Sequence, residues 1–166
     1  YFSESGLNIT NSVFESMSGI TTTGSSVIQN VESLTEGILI WRGLLQWMGG
    51  IGIIVMAVSI LPVLRVGGMQ VFRAENSDTT DKILPRTTQI ASAVIIIYLT
   101  LTLVCLVAYW LGGMSFFDAL VHSMTTIATG GFSTYSNSIG YFQNPKIETI
   151  SIIFIILGSI PFLAYL

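Results

Sequence analysis

Two short stretches hold the residues best suited to chemistry in this 166-residue chain: Thr22-Thr23-Gly24 and Thr129-Gly130-Gly131. Their side chains are small or hydroxylated, and glycine accepts backbone angles that turn successive carbonyl oxygens toward one axis. A ring of such oxygens can replace the hydration shell of a monovalent cation, which is the physics of a K⁺ selectivity filter. One copy alone reads as an extracellular turn, whereas two aligned copies read as a pore lining. Sliding the sequence by 107 positions sets Glu15–Ser26 over His122–Ser133. Identities fall at Ser16/Ser123, Met17/Met124, Ile20/Ile127, Thr22/Thr129, Gly24/Gly131 and Ser26/Ser133, six of twelve positions without a gap. Self-similarity of this kind marks a repeated structural unit.

The elements that must position these loops follow from the surrounding pattern. Each copy succeeds a short helical stretch, Ile9–Ser18 and Ser115–Thr125, too small to cross a bilayer and read as re-entrant. A helix that stops halfway through the membrane leaves its last carbonyls unsatisfied and its negative dipole end at the bilayer centre. A cation held there relieves both problems. Long apolar runs flank the short helices. The first, from about Gly37 to Leu64, has Arg42 and Gln46 as its only strongly polar members; the second, Gln89–Leu111, is uncharged. A third begins near Ile147 and is interrupted by Gly158 and Pro161. Each of the first two is long enough to span the hydrocarbon core at 1.5 Å per residue.

Composition agrees. Apolar residues make up 51% of the chain and charged residues 9%, against about 25% charged in a soluble domain. That excludes a soluble enzyme, a disordered tail and, with one Cys, a disulfide-stapled domain. A net charge of −3 argues against any nucleic-acid interface. An intramembrane hydrolase needs a paired Ser and His or paired aspartates, and the spans hold neither Asp nor His. The chain is therefore expected to be no enzyme and to need no cofactor. Glu15 and His122 occupy equivalent repeat positions and are expected to be structural, Cys105 to be a small buried hydrophobe, and Arg42 to snorkel or meet an acid. Gly49, Gly50 and Gly52 are expected to allow close packing against the pore loops. The chain starts at Tyr1 without an initiator Met and shows no signal peptide, so it reads as an internal segment of a longer protein.

Orientation comes from the bases. Arg65, Arg73, Lys82 and Arg86, four of the six Lys and Arg residues, fall between the first two spans, which makes that loop cytoplasmic. The two Thr/Gly loops then lie outside, with Trp41 and Trp110 at outer span ends as an aromatic belt.

The chain resembles the Trk/Ktr/HKT superfamily of potassium transporters, most closely its Trk branch. The residues that carry the resemblance are Ser18-Gly-Ile-Thr-Thr-Thr-Gly24, Gln46-Trp-Met-Gly-Gly-Ile-Gly-Ile-Ile-Val55, Ile60-Leu-Pro-Val-Leu64, Gly67-Gly-Met-Gln70 with Arg73-Ala-Glu75, and Ala128-Thr-Gly-Gly-Phe-Ser133 before Ile139-Gly-Tyr-Phe142. The resemblance implies an all-α membrane protein of repeated helix–pore loop–helix, K⁺-channel-like units with re-entrant pore helices, four such repeats surrounding one ion path. It assigns residues 1–64 to the pore loop and inner helix of the second repeat and 65–86 to a cytoplasmic loop. Residues 87–166 become the third repeat, with its outer helix, pore loop and a truncated, broken inner helix. It implies K⁺ uptake across the cell inner membrane through a filter containing Thr22, Thr23, Gly24, Thr129, Gly130 and Gly131, with K⁺ bound there and at no other metal site. A Na⁺-transporting, or Na⁺- or H⁺-coupled K⁺-symporting, member is the alternative. A homodimer and a cytosolic nucleotide-binding regulatory subunit are the implied partners.

The third run needs its own account. Proline lacks an N–H and clashes with the preceding turn, so Gly158-Ser159-Ile160-Pro161 predicts a break or kink. A plain kink and an intramembrane loop both satisfy that physics. The family resemblance favours a loop lying under the filter and acting as a gate.

Overall fold

A computed structural model describes residues 7–64 and 83–165. Five α-helices order the described residues: α1 (Ile9–Ile20), α2 (Glu36–Leu64), α3 (Ile83–Gly112), α4 (Phe116–Ile127) and α5 (Pro145–Ser159). Short 3₁₀ turns stand at Val31–Ser33, Ser138–Phe142 and Phe162–Tyr165. No strand occurs among the described residues. Helix α3 begins at Ile83, inside the segment expected as cytoplasmic loop 65–86; the rest of that loop, including Arg65, Arg73 and Lys82, lies outside the described residues.

Local chemistry sets the helix ends. Asn8 caps α1 by accepting from the Asn11 N–H at 2.8 Å. Ser115 caps α4 by accepting from the Asp118 N–H at 3.0 Å, and its hydroxyl donates back to the Asp118 carboxylate at 2.7 Å. Each such cap is worth about 1 kcal/mol. Asn144 caps α5 through the Lys146 N–H, with Pro145 at the first helical position, where its missing N–H costs nothing. At the other end α5 stops at Ser159. Ile160 is extended (φ −71, ψ 133), as the residue before a proline prefers, and a 3₁₀ turn follows. The expected break is there.

Helix α4 sits in the middle, against α2, α3 and α5, while α1 packs on α2. The core beside it is aromatic and aliphatic: Tyr98, Cys105 and Tyr109 of α3, Ile127 of α4, and Ile147 and Phe154 of α5. Its two buried tyrosines are not orphaned. Tyr98 donates to the Trp47 carbonyl at 3.0 Å. Tyr109 donates to Ser151 at 2.9 Å, which leaves the Thr126 hydroxyl, 2.8 Å away, to donate to Tyr109. One chain of hydroxyls thus ties α3, α4 and α5.

The outside is apolar. Among the described residues one stretch, Gln89–Gly112 of α3, is long and apolar enough to cross a membrane, and 28% of its apolar window is buried within the chain. Ile96, Leu103 and Trp110 project outward from it, and Trp41 projects from α2. Helix α1 is turned inside out relative to a soluble helix: it buries Ser12, Glu15, Ser18 and Gly19 and exposes Ile9, Val13, Met17 and Ile20. Water would punish that arrangement, whereas an apolar surrounding rewards it.

Candidate functional site: two matched helix–loop units

The 107-residue repeat is a repeat of geometry as well as of sequence. Helices α1 and α4 have 12 residues each, and their N-caps, Asn8 and Ser115, stand 107 positions apart. Both end in the same six-residue hydrogen-bonded wrap. In α1 the Thr22 N–H donates to the Gly19 carbonyl and the Thr23 N–H to the Ser18 carbonyl, each at 3.0 Å. In α4 the Thr129 N–H donates to Thr126 at 3.0 Å and the Gly130 N–H to Thr125 at 2.9 Å. This is a Schellman-type ending, whose left-handed position is normally glycine. Here it is threonine in both copies, Thr22 at φ 55 and Thr129 at φ 51. A β-branched residue in that region is strained, and such strain concentrates at functional sites. Two residues later Gly24 (φ 78) and Gly131 (φ 83) repeat the left-handed turn. Successive left-handed residues alter which way the peptide oxygens of each loop point, the property a carbonyl filter requires.

A serine latch holds each loop against its own helix. Ser26 donates to Glu15 at 2.8 Å and accepts from the Ile28 N–H at 3.2 Å. In the second copy the His122 Nδ1 lies 2.8 Å from the Asp118 carbonyl, an acceptor, so the neutral ring donates there and its Nε2 accepts from Ser133 at 3.0 Å. Ser133 in turn accepts from the Tyr135 N–H at 3.0 Å. Glu15 and His122 are thus equivalent in role, and both are structural. No group of three or more His, Cys, Asp or Glu side chains able to hold a metal occurs among the described residues.

The two loops meet. Gly24 lies against the Gly130 carbonyl so closely that a Cβ at Gly24 has no room. That same carbonyl accepts from Gln46 Nε2 of α2 at 3.0 Å, and Gln46 Oε1 accepts from the Phe132 N–H at 3.1 Å. One turn earlier on α2, Arg42 forms a buried ion pair with Glu15 at 2.7 Å, reaches Ser26 at 3.1 Å and covers the Phe132 ring at 4.2 Å. Arg42 therefore meets an acid. Removing either partner of such a buried pair costs about 3–5 kcal/mol, because the other charge is left stranded. Farther out, the Ser136 N–H and hydroxyl both lie 2.7 Å from the Glu32 carboxylate. The Ser136 N–H holds the Glu32 carboxyl below its usual range, and the hydroxyl adds to the effect.

The expected filter residues are therefore brought together but not equally placed. Thr23, Thr129 and Gly131 are exposed, Thr22 and Gly24 half-buried, and Gly130 buried with its carbonyl gripped by Gln46. A cavity of about 180 Å³ opens beside the second loop, with Thr125, Thr129, Gly131, Ser138 and Ile155 in its wall.

The span glycines have defined work. Gly49 sits on the Ile20 carbonyl and Gly50 on Ala128, as close packing requires, whereas Gly52 meets nothing. Gly158 sits on the Ile127 carbonyl, with only 2.8 Å for an added Cβ. Ile20 and Ile127 are repeat partners, so Gly158 is the counterpart of Gly49. This packing role was not read from the sequence, nor was the use of Gln46, although a lone glutamine in an apolar run was its visible signal.

The described residues are helical, with two paired helix–loop units and an apolar outer surface, and the comparisons with known proteins place the chain among cation transport proteins. The TrkH family of cation transport proteins matches residues 1–166, and the chain belongs to that family. It is 50% identical over 161 residues to the Trk system potassium uptake protein TrkI of Halomonas elongata, covering 96% of this chain and 33% of that protein. It is 51% identical over 161 residues to the Trk system potassium uptake protein TrkH of Escherichia coli K12, covering 95% of this chain and 33% of that one. The crystal structure of the potassium transporter TrkH from Vibrio parahaemolyticus matches with a TM-score of 0.77 at 46% identity, covering 91% of this chain and 29% of that chain. The chain spans about a third of the length of the curated relatives it matches.

Proposed function

We propose that this chain contributes two of four selectivity-filter loops to a membrane protein that takes up K⁺ across the cytoplasmic membrane. Residues 1–64 supply the pore loop and inner helix of the second repeat, and 87–166 the outer helix, pore loop and broken inner helix of the third. The segment 65–86 joins them on the cytoplasmic side. The observation that carries this reading is the geometric identity of two loops that touch: Thr22 and Thr129 left-handed, Gly24 and Gly131 left-handed two residues on, and Gly24 seated on the Gly130 carbonyl. Thr22, Thr23, Gly24, Thr129, Gly130 and Gly131 form this half of the filter, and K⁺ binds to those of their oxygens that Gln46 leaves free. Within it Gly130 anchors the second loop to α2 through Gln46. The names of the relatives, Trk system potassium uptake proteins, support K⁺ as the ion.

Below the filter, the residues Gly158, Ser159, Ile160 and Pro161 form a gate where α5 ends. The abrupt halt of α5 at Ser159 supports it. The assembled protein is a homodimer that docks a cytosolic nucleotide-binding regulatory subunit. Two loops of four cannot close a ring, so the test uses the full-length protein in liposomes. Gly131→Ser, which adds a side chain at φ 83, is expected to lower the K⁺/Na⁺ flux ratio. An unchanged ratio overturns the filter reading.

A further inference from the structure

The filter reading needs the two loops to keep a fixed separation, and one buried side chain is placed to set it. Gln46 stands fully buried on α2, among the helix's apolar residues, where a polar group is costly and marks function. Its Nε2 grips the Gly130 carbonyl at 3.0 Å, and its Oε1 holds the Phe132 N–H at 3.1 Å. The two bonds bracket Gly131 and fix the peptide on either side of it. Gly131 itself has open space where a Cβ would stand. The Gly130 carbonyl that Gln46 grips is the one against which Gly24 rests, and the Gln46 amide nitrogen is 3.7 Å from the position a Gly24 Cβ would occupy. A residue on the inner helix of one unit therefore holds the loop of the next unit and also abuts the loop of its own.

We propose that Gln46 is a positioning residue for ion selectivity, fixing the spacing of the Gly24 and Gly131 loops so that their oxygens cannot close in on a smaller dehydrated cation. This rests on the filter reading above. A ring of carbonyls discriminates K⁺ from Na⁺ only to the extent that its ligand number and spacing are maintained. With its two bonds removed, the second loop is free to move inward, and Na⁺ gains the contacts that it lacked.

The test uses full-length protein in liposomes, with K⁺ and Na⁺ fluxes measured across a range of concentrations. Gln46→Met keeps length and volume but removes both bonds; Gln46→Glu keeps an acceptor for Phe132 and loses the donor to Gly130. The expected result is a K⁺/Na⁺ flux ratio lowered about tenfold in the Met variant, a loss in the range of a buried hydrogen-bonded pair, and a smaller loss in the Glu variant. The thermal unfolding midpoint reports folding separately, and where the Met variant does not fold the Glu variant decides. A purely structural Gln46 predicts equal loss of both fluxes, or an unchanged ratio at an unchanged midpoint, and either result overturns the proposal. Gly131→Ser serves as the reference. If it lowers the ratio and the Gln46 variants do not, the positioning role alone fails; if it too leaves the ratio unchanged, the filter reading fails with it.

Discussion

Thr22 and Thr129 occupy a backbone position at which most helices place glycine, and a β-branched side chain there costs about 1 kcal/mol. Two equivalent sites that both carry this cost point to a use for the hydroxyl or for the rigidity. Thr22→Gly and Thr129→Gly in the full-length protein are therefore expected to raise the thermal unfolding midpoint while lowering K⁺ flux. A lower midpoint would show that the threonines are there for stability. Glu32 offers a pH handle on the same region. Ser136 holds its carboxyl below the usual carboxylate range, so its contribution is complete above that range and is lost as pH falls through the lowered value. The midpoint difference between wild type and Glu32→Gln is expected to be present at neutral pH and to vanish on acidification into that range. A difference that persists in acid would contradict the assignment.

At the scale of elements, the short helices, the long ones and the break were all legible, because each has a strong local signal. The length of their apolar runs gave α2 and α3, Pro161 gave the end of α5, and the aligned Thr/Gly stretches gave the paired loops. What sequence could not give is which backbone atoms face each other across units. The contacts of Gly49 with Ile20 and of Gly158 with Ile127 depend on helix crossing, not on local pattern. Nor did spacing reveal that Ser26 and Ser133 latch onto Glu15 and His122, although all four positions align in the repeat. The packing of Gly158 sharpens the gate prediction. Deleting Gly158–Ile160 is expected to raise ion flux through the full-length protein, and a liposome assay in which flux is unchanged would remove the gate from this segment.

On the scale of the whole molecule, the two short helices are covered unequally. Helix α4 is wrapped by α2, α3 and α5 and buries residues on nearly every side. Helix α1, its counterpart, has α2 as a neighbour and leaves Ile9, Val13 and Met17 open. The exposed Ile152, Ile153 and Ile156 of α5 present a similar apolar surface at the other end of the array. Both surfaces fit the proposed ring of four such units. The most direct measurement is ion density in a structure of the full-length protein prepared with Tl⁺ or Rb⁺ in place of K⁺. The account predicts peaks on the axis between the Gly24 and Gly131 loops, within coordination distance of their peptide oxygens. Peaks confined to other sites, with both loops turned to bulk solvent, would contradict it.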